Sequence, residues 1–253
     1  MSRRTRVLAL LPALLAACGH DPAATPRVVA FLGDSITYGT VRAGPHGAGR
    51  DPAGGYPGRL QRLLGPRARV LNRGVGGATA GFWLLDPREG DGGTYWNVLK
   101  GLLDTPPTGE PPPGAQSLAL AVLGRDRPDV VVFLLGVNDL SMEWRQRGDA
   151  VVGVALERLE KLRGQLASIA PTVLLATPLP NHRDPAALVD ALARGIRAAH
   201  PDALPLGERF TAAGWEHLLS DEVHPNEEGY ELLARAVTDE LQRRGLVDGA
   251  PRS

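Results

Sequence analysis

Short β-branched and apolar runs alternate along this chain with longer segments whose apolar residues recur every three or four positions, and this alternation constrains the fold more than any other feature. The runs are Arg27 to Leu32, Ala68 to Leu71, Val130 to Leu135, Thr172 to Ala176 and, more weakly, Ala203 to Leu206. The helical segments are Tyr56 to Leu64, Ala150 to Ala170, Pro185 to His200 and Asn226 to Arg244. A strand that is apolar at successive positions is buried on both faces, so it needs helices above and below it. The sequence therefore predicts an α/β protein, a three-layer α/β/α sandwich around a five-stranded parallel sheet. With 253 residues, 43% of them hydrophobic, the chain supports one substantial core. That domain is expected over residues 27 to 246. In open parallel sheets ligands gather at the carboxyl ends of the strands, so reactive groups are sought there.

Two segments fall outside the rhythm. Residues 81 to 114 contain thirteen Gly or Pro, together with Phe82, Trp83, Tyr95 and Trp96, a third of the chain's aromatics. A stretch this long inside a compact domain is usually functional or disordered, and its aromatic content argues against disorder. It is either a substrate-shaping flap or a surface excursion packed down by its own aromatics. At the other extreme, Arg3, Arg4 and Arg6 precede an apolar run from Val7 to Ala17, the pattern of an export signal and too short for a mature membrane-spanning helix. Leu15-Ala16-Ala17-Cys18 resembles the lipobox of bacterial lipoproteins. The resemblance implies a signal peptide over residues 1 to 17, a lipidated Cys18 at the new N-terminus and a tether over 18 to 26. The protein is then expected in the bacterial cell envelope, held to a membrane by acyl chains. Cys18 is the only cysteine, so no intramolecular disulfide exists.

Charge removes one class of function. The 28 basic and 28 acidic residues balance, and loss of the three leading arginines leaves 25 against 28. No basic run follows the N-terminus, which argues against nucleic-acid binding.

The strand ends carry the chemistry. The first runs into Gly33-Asp34-Ser35-Ile36-Thr37, placing Ser35 in a tight turn before a helix start. A serine hydroxyl there is either a helix cap or, beside a base, a nucleophile. The third strand runs into Gly136-Val137-Asn138-Asp139. Asn138 either closes an Asx-turn or offers its amide to an oxyanion. After the second strand, Asn72-Arg73-Gly74-Val75-Gly76-Gly77 is a glycine-rich turn without the dinucleotide spacing Gly-x-Gly-x-x-Gly. Ahead of the last helix, Asp221-Glu222-Val223-His224-Pro225 sets a carboxylate three residues before an imidazole, the spacing that lets one orient the other as a general base.

Four blocks in this order resemble the SGNH hydrolases, also called GDSL-type esterases and lipases. The resemblance rests on Gly33-Asp34-Ser35, on Asn72, Gly74 and Gly77, on Gly136 to Asp139, and on Asp221 to Pro225, and it covers nearly the whole chain after the tether. It implies a flavodoxin-like fold and a carboxylic ester hydrolase of the esterase, lipase or lysophospholipase type. Its catalytic residues would be Ser35, His224 and Asp221. The oxyanion hole would comprise the Ser35 and Gly77 N–H groups and the Asn138 side chain. Ile36 and Thr37 depart from the family's eponymous Leu, and the insertion at 81 to 114 has no family counterpart. No cofactor is implied, and the substrate is a small-molecule, lipid or glycan ester acted on by a monomer. An acyltransferase on the same scaffold is one alternative. The other is a metal-dependent hydrolase using Asp34, Asp139, Asp221 and His224 as ligands.

Overall fold

The computed structural model describes residues 25–44, 47–90 and 95–247. In chain order the elements are β1 (Arg27–Gly33), α1 (Ser35–Tyr38), β2 (Thr40–Ala43), β3 (Gly47–Arg50), α2 (Gly55–Leu64), β4 (Ala68–Gly74), α3 (Ala80–Trp83), α4 (Tyr95–Leu102), α5 (Leu118–Asp126), β5 (Val130–Leu134), α6 (Val137–Arg147), α7 (Ala150–Leu166), β6 (Thr172–Leu175), α8 (Ala186–Ala199), α9 (Leu206–Ala212) and α10 (Glu227–Arg243). Strands β4, β1, β5 and β6 form one parallel sheet in that order, and β2 pairs with β3 in a separate antiparallel ribbon.

Successive residues of β1 point to opposite faces, as the pleat demands. Val29 and Phe31 pack with Tyr56, Leu60, Phe210, Tyr230 and Leu233, from α2, α9 and α10. Ala30 and Leu32 pack on the other side with residues of α3, α4, α5, α7 and α8. Val130 and Val132 of β5 join the first cluster, Val131 and Phe133 the second. These two clusters are the two interfaces of a three-layer α/β/α sandwich.

The sheet has four strands where the sequence suggested five. The stretch Ala203 to Leu206 reaches the edge of β6 but contributes only an isolated parallel bridge, Ala176 to Leu204. Leu204 donates to the Leu175 carbonyl and accepts from the Thr177 N–H. Pro205 then follows with no N–H to extend the ladder, and α9 begins at Leu206. The insertion is packed into the domain through its aromatics. Within it lie most of α3 and all of α4, and Trp83, Trp96 and Leu99 are fully buried against the sheet-facing cluster. The Trp83 indole N–H reaches back to the carbonyl of Gly33, at the end of β1.

Strand register brings three of the sequence blocks together. Gly33 lies opposite Gly74 of β4 on one side and Leu134 of β5 on the other. The segments leaving these three strands therefore emerge at the same height. The blocks around Ser35, Gly77 and Asn138 are neighbours for that reason.

Candidate active site

Asp34 is the N-cap of the one-turn helix α1, its carboxylate accepting from the Ile36 N–H at 2.9 Å. That role leaves the next hydroxyl, Ser35, free of capping. Ser35 Oγ lies 2.9 Å from His224 Nε2, although the two are 189 residues apart in sequence. His224 Nδ1 lies 2.7 Å from Asp221 Oδ2. Asp221 Oδ1 meanwhile accepts the backbone N–H groups of Val223 at 2.8 Å and His224 at 2.7 Å. One carboxylate thus folds the turn and orients the ring. Burial by itself would raise the Asp221 pKa, but the bonds from the His224 N–H, the imidazole and the Val223 N–H outweigh it and hold the carboxyl below its usual range. An ionised Asp221 favours the tautomer with the proton on Nδ1, and Nε2 then faces the serine as acceptor.

Gly33 and Gly74 are glycines because chains approach closely here. A Cβ on Gly33 would stand 2.6 Å from Thr37 Cβ and 3.1 Å from the Leu134 carbonyl. One on Gly74 would stand 2.6 Å from the Thr37 carbonyl carbon and 2.7 Å from Tyr38 Cα. Asn72 reinforces that contact, donating from its side chain to the Thr37 carbonyl at 2.8 Å and accepting from the Gly74 N–H. Beyond it Gly77 is exposed with φ of +75°. Among the described residues its N–H donates to no protein acceptor, and neither does that of Ser35. Asn138 lies in the first turn of α6, nearly buried, and its amide nitrogen donates to the Ala78 carbonyl at 3.0 Å instead of closing an Asx-turn.

Residues 31 to 232 match the GDSL-like Lipase/Acylhydrolase family. The chain belongs to that family. It is therefore a carboxylic ester hydrolase. No curated protein sequence matches it. Among solved structures it is similar to a lipase/acylhydrolase from Enterococcus faecalis, with 24% identity over 86% of this chain and 96% of the other and a TM-score of 0.57. A carbohydrate acetylesterase from Sinorhizobium meliloti is 19% identical over 86% and 99% of the two chains, with a TM-score of 0.59. An acetylxylan esterase from Geobacillus stearothermophilus is 23% identical over 86% and 95%, with a TM-score of 0.54. At these identities the likeness is one of fold.

The four acidic and imidazole groups that a metal site would use are spoken for separately in this GDSL-like chain. Asp34 caps α1, Asp221 binds His224, and Asp139 accepts from the Ala80 N–H at 2.9 Å and pairs with Arg158 at 3.2 Å. Among the described residues no cluster of three or more His, Cys, Asp or Glu side chains is arranged to hold a metal ion. Burial pushes the Asp34 carboxyl up to about 7, opposed by the Ile36 N–H and by the charge of Arg183. It also raises Asp139, against the bonds from Ala80 and Arg158.

Arg183, Asp184 and Ser141 also belong to this site, and reading the sequence did not find them. They come from the loop after β6 and the second turn of α6, and no local motif marks them. Cys18 and the signal and tether segments up to residue 24 lie outside the described residues. Among the described residues no helix is long and apolar enough to cross a membrane.

Proposed function

We propose that this hydrolase is a serine esterase working through an acyl-enzyme on Ser35. His224 takes the hydroxyl proton as Oγ attacks the ester carbonyl, and Asp221 stabilises the imidazolium that forms. The tetrahedral oxyanion is held by the Ser35 and Gly77 N–H groups and by the Asn138 amide. His224 then returns its proton to the departing alkoxide and afterwards activates the water that frees the acid. The observation carrying this reading is the continuous chain of contacts from Ser35 Oγ through both ring nitrogens of His224 to Asp221, at 2.9 and 2.7 Å. The free Ser35 and Gly77 N–H groups support the placement of the oxyanion. Solved structures named as a carbohydrate acetylesterase and an acetylxylan esterase make short acyl esters of sugars the first substrates to try.

The test is hydrolysis of p-nitrophenyl esters from acetyl to palmitoyl, with and without an added alcohol acceptor, by wild type and by Ser35→Ala. The substitution is expected to lower kcat on the order of a million-fold, as in other serine hydrolases stripped of their nucleophile. Retention of a tenth of wild-type activity would refute the nucleophile assignment, and ester formed with the added alcohol in place of free acid would make the protein an acyltransferase. We also propose export and lipidation at Cys18, on the sequence pattern of residues 3 to 18. Incorporation of a labelled fatty acid by cells producing wild type, and its loss in Cys18→Ser, is the expected result.

A further inference from the structure

The amide of Asn138 has a partner at each end. Its nitrogen donates to the Ala78 carbonyl at 3.0 Å, and its oxygen accepts from Arg183 Nη2 at 3.3 Å. We propose that Arg183 is the positioning residue of the oxyanion hole, holding the Asn138 side chain in the one orientation that presents its second N–H to the substrate. The inference rests on the serine-esterase reading above and deepens it.

Hydrogen-bond chemistry gives the reason. Turning the amide over would set its oxygen against the Ala78 carbonyl, acceptor to acceptor, and its NH2 against the guanidinium, donor to donor. The Ala78 carbonyl alone fixes one side, and Arg183 fixes the other. A guanidinium on the amide oxygen also draws electron density from the N–H groups and makes them better donors. Its charge reaches the turn of the nucleophile as well, since it opposes the burial-driven rise at Asp34.

Arg183 is a third exposed, yet the loop that carries it is built and anchored. Buried Asn181 takes the N–H groups of Arg183 at 3.0 Å and Asp184 at 2.9 Å on its side-chain oxygen. Buried Asp184 accepts from Ser141 Oγ at 2.6 Å and lies 3.4 Å from Arg183 Nη2. Ser141 follows Asn138 by three residues on α6, so both stand on the same helical face. The loop is therefore fastened to the very helix whose first turn it orients. On its other side the His182 N–H donates to the Glu222 carbonyl at 2.8 Å, inside the turn between Asp221 and His224. One four-residue loop thus ties the oxyanion amide to the acid–base pair.

An oxyanion exists only after attack, so a positioning defect should appear in kcat and leave KM nearly unchanged. The experiment compares Arg183→Met, which keeps the stem but not the charge, with Arg183→Lys, each in wild-type and Asn138→Ala backgrounds, on a short-chain ester. Removing an oxyanion donor outright costs about 100- to 1000-fold in kcat, and loosening one should cost part of that, about 10-fold for Arg183→Met. Arg183→Lys, with one donor in reach, should recover to within about 3-fold, because a single N–H contacts the amide oxygen. In the Asn138→Ala background Arg183→Met should change kcat by less than about 2-fold, the non-additivity expected of groups that act as a unit. Melting temperatures of all variants should stay within a few degrees. Unchanged kcat in Arg183→Met would overturn the proposal, and so would an equal loss with and without Asn138. A fluorophosphonate probe separates this from the underlying reading. Wild type that takes no label at Ser35 overturns the esterase mechanism itself, whereas labelled wild type beside an unaffected Arg183→Met overturns the role of Arg183 alone.

Discussion

Gly74→Ala tests how the second strand end supports Ser35, the proposed nucleophile. The new methyl would stand 2.6 Å from the Thr37 carbonyl carbon and 2.7 Å from Tyr38 Cα, and still nearer to the Tyr38 nitrogen. Ordinary contact begins near 3.4 Å, so β4 and α1 must part by roughly an ångström, and backbone on both sides leaves no flexible side chain to yield. Overpacking of this kind costs about 1–3 kcal/mol, which in a domain of this size lowers Tm by about 2 to 12 °C. The separation falls on the turn that aims Ser35 at His224, and a displacement of about 1 Å is worth about 100-fold in rate. Calorimetry and kcat/KM on a short-chain ester read the two effects. Gly76→Ala is the internal control for stability, since its methyl meets nothing within 4 Å and its φ is not positive. A Gly74→Ala protein that melts within a degree of wild type and keeps kcat/KM within twofold would refute the claim that close approach at Gly74 sets the position of Ser35.

Two further outcomes follow from burial. Asp34 has a folded pKa of about 7 against 3.8 for the free side chain. Between those values the folded protein holds a proton that the unfolded chain has released, so this group's contribution falls as pH rises from about 4 to about 7, by on the order of a few kcal/mol, and is constant outside that window. Asp34→Asn, which preserves a cap acceptor, should flatten Tm against pH between 5 and 7; an identical slope in wild type and variant would contradict the assignment. Trp83→Phe removes the indole N–H from the Gly33 carbonyl and empties part of a fully buried site, and it is expected to cost about 1–3 kcal/mol in calorimetry. Unchanged melting would show that the bond contributes nothing.

The layers were legible because β1, β5 and the long helices state their burial directly in sequence. Val130 to Leu134 is apolar at every position, and both faces are indeed covered. Helix α5 was missed for the converse reason. Leu118 to Leu123 is apolar nearly all round, without the polar stripe that marks a helix in sequence, and it lies next to a Gly- and Pro-rich stretch. The fifth strand failed at Pro205, whose missing N–H outweighs the apolar character of Ala203 and Leu204. Ser35, Asp221 and His224 stood out because each sits in a local turn with readable chemistry. Arg183 and Asp184 act across the fold, on Asn138 and Ser141, and no spacing within their own loop announces partners some forty residues away. The φ of Gly33 is not positive, and the proximity of Thr37, which no local sequence pattern announces, is the reason for glycine there.

The Asp221 turn has a consequence for how such an enzyme fails and how it changes. Both oxygens of Asp221 are engaged within a four-residue span, so imidazole and carboxylate travel together as one preassembled cartridge. That cartridge meets the rest of the machine at the 2.9 Å contact from His224 to Ser35 and at the 2.8 Å bond from the His182 N–H to the Glu222 carbonyl. On the proposed mechanism, any movement of α10 and its leading turn that opens the contact to Ser35 would stop turnover while the bonds inside the cartridge stayed intact. For the same reason, loops that touch neither the cartridge nor these joints are free to drift in length and composition over evolutionary time.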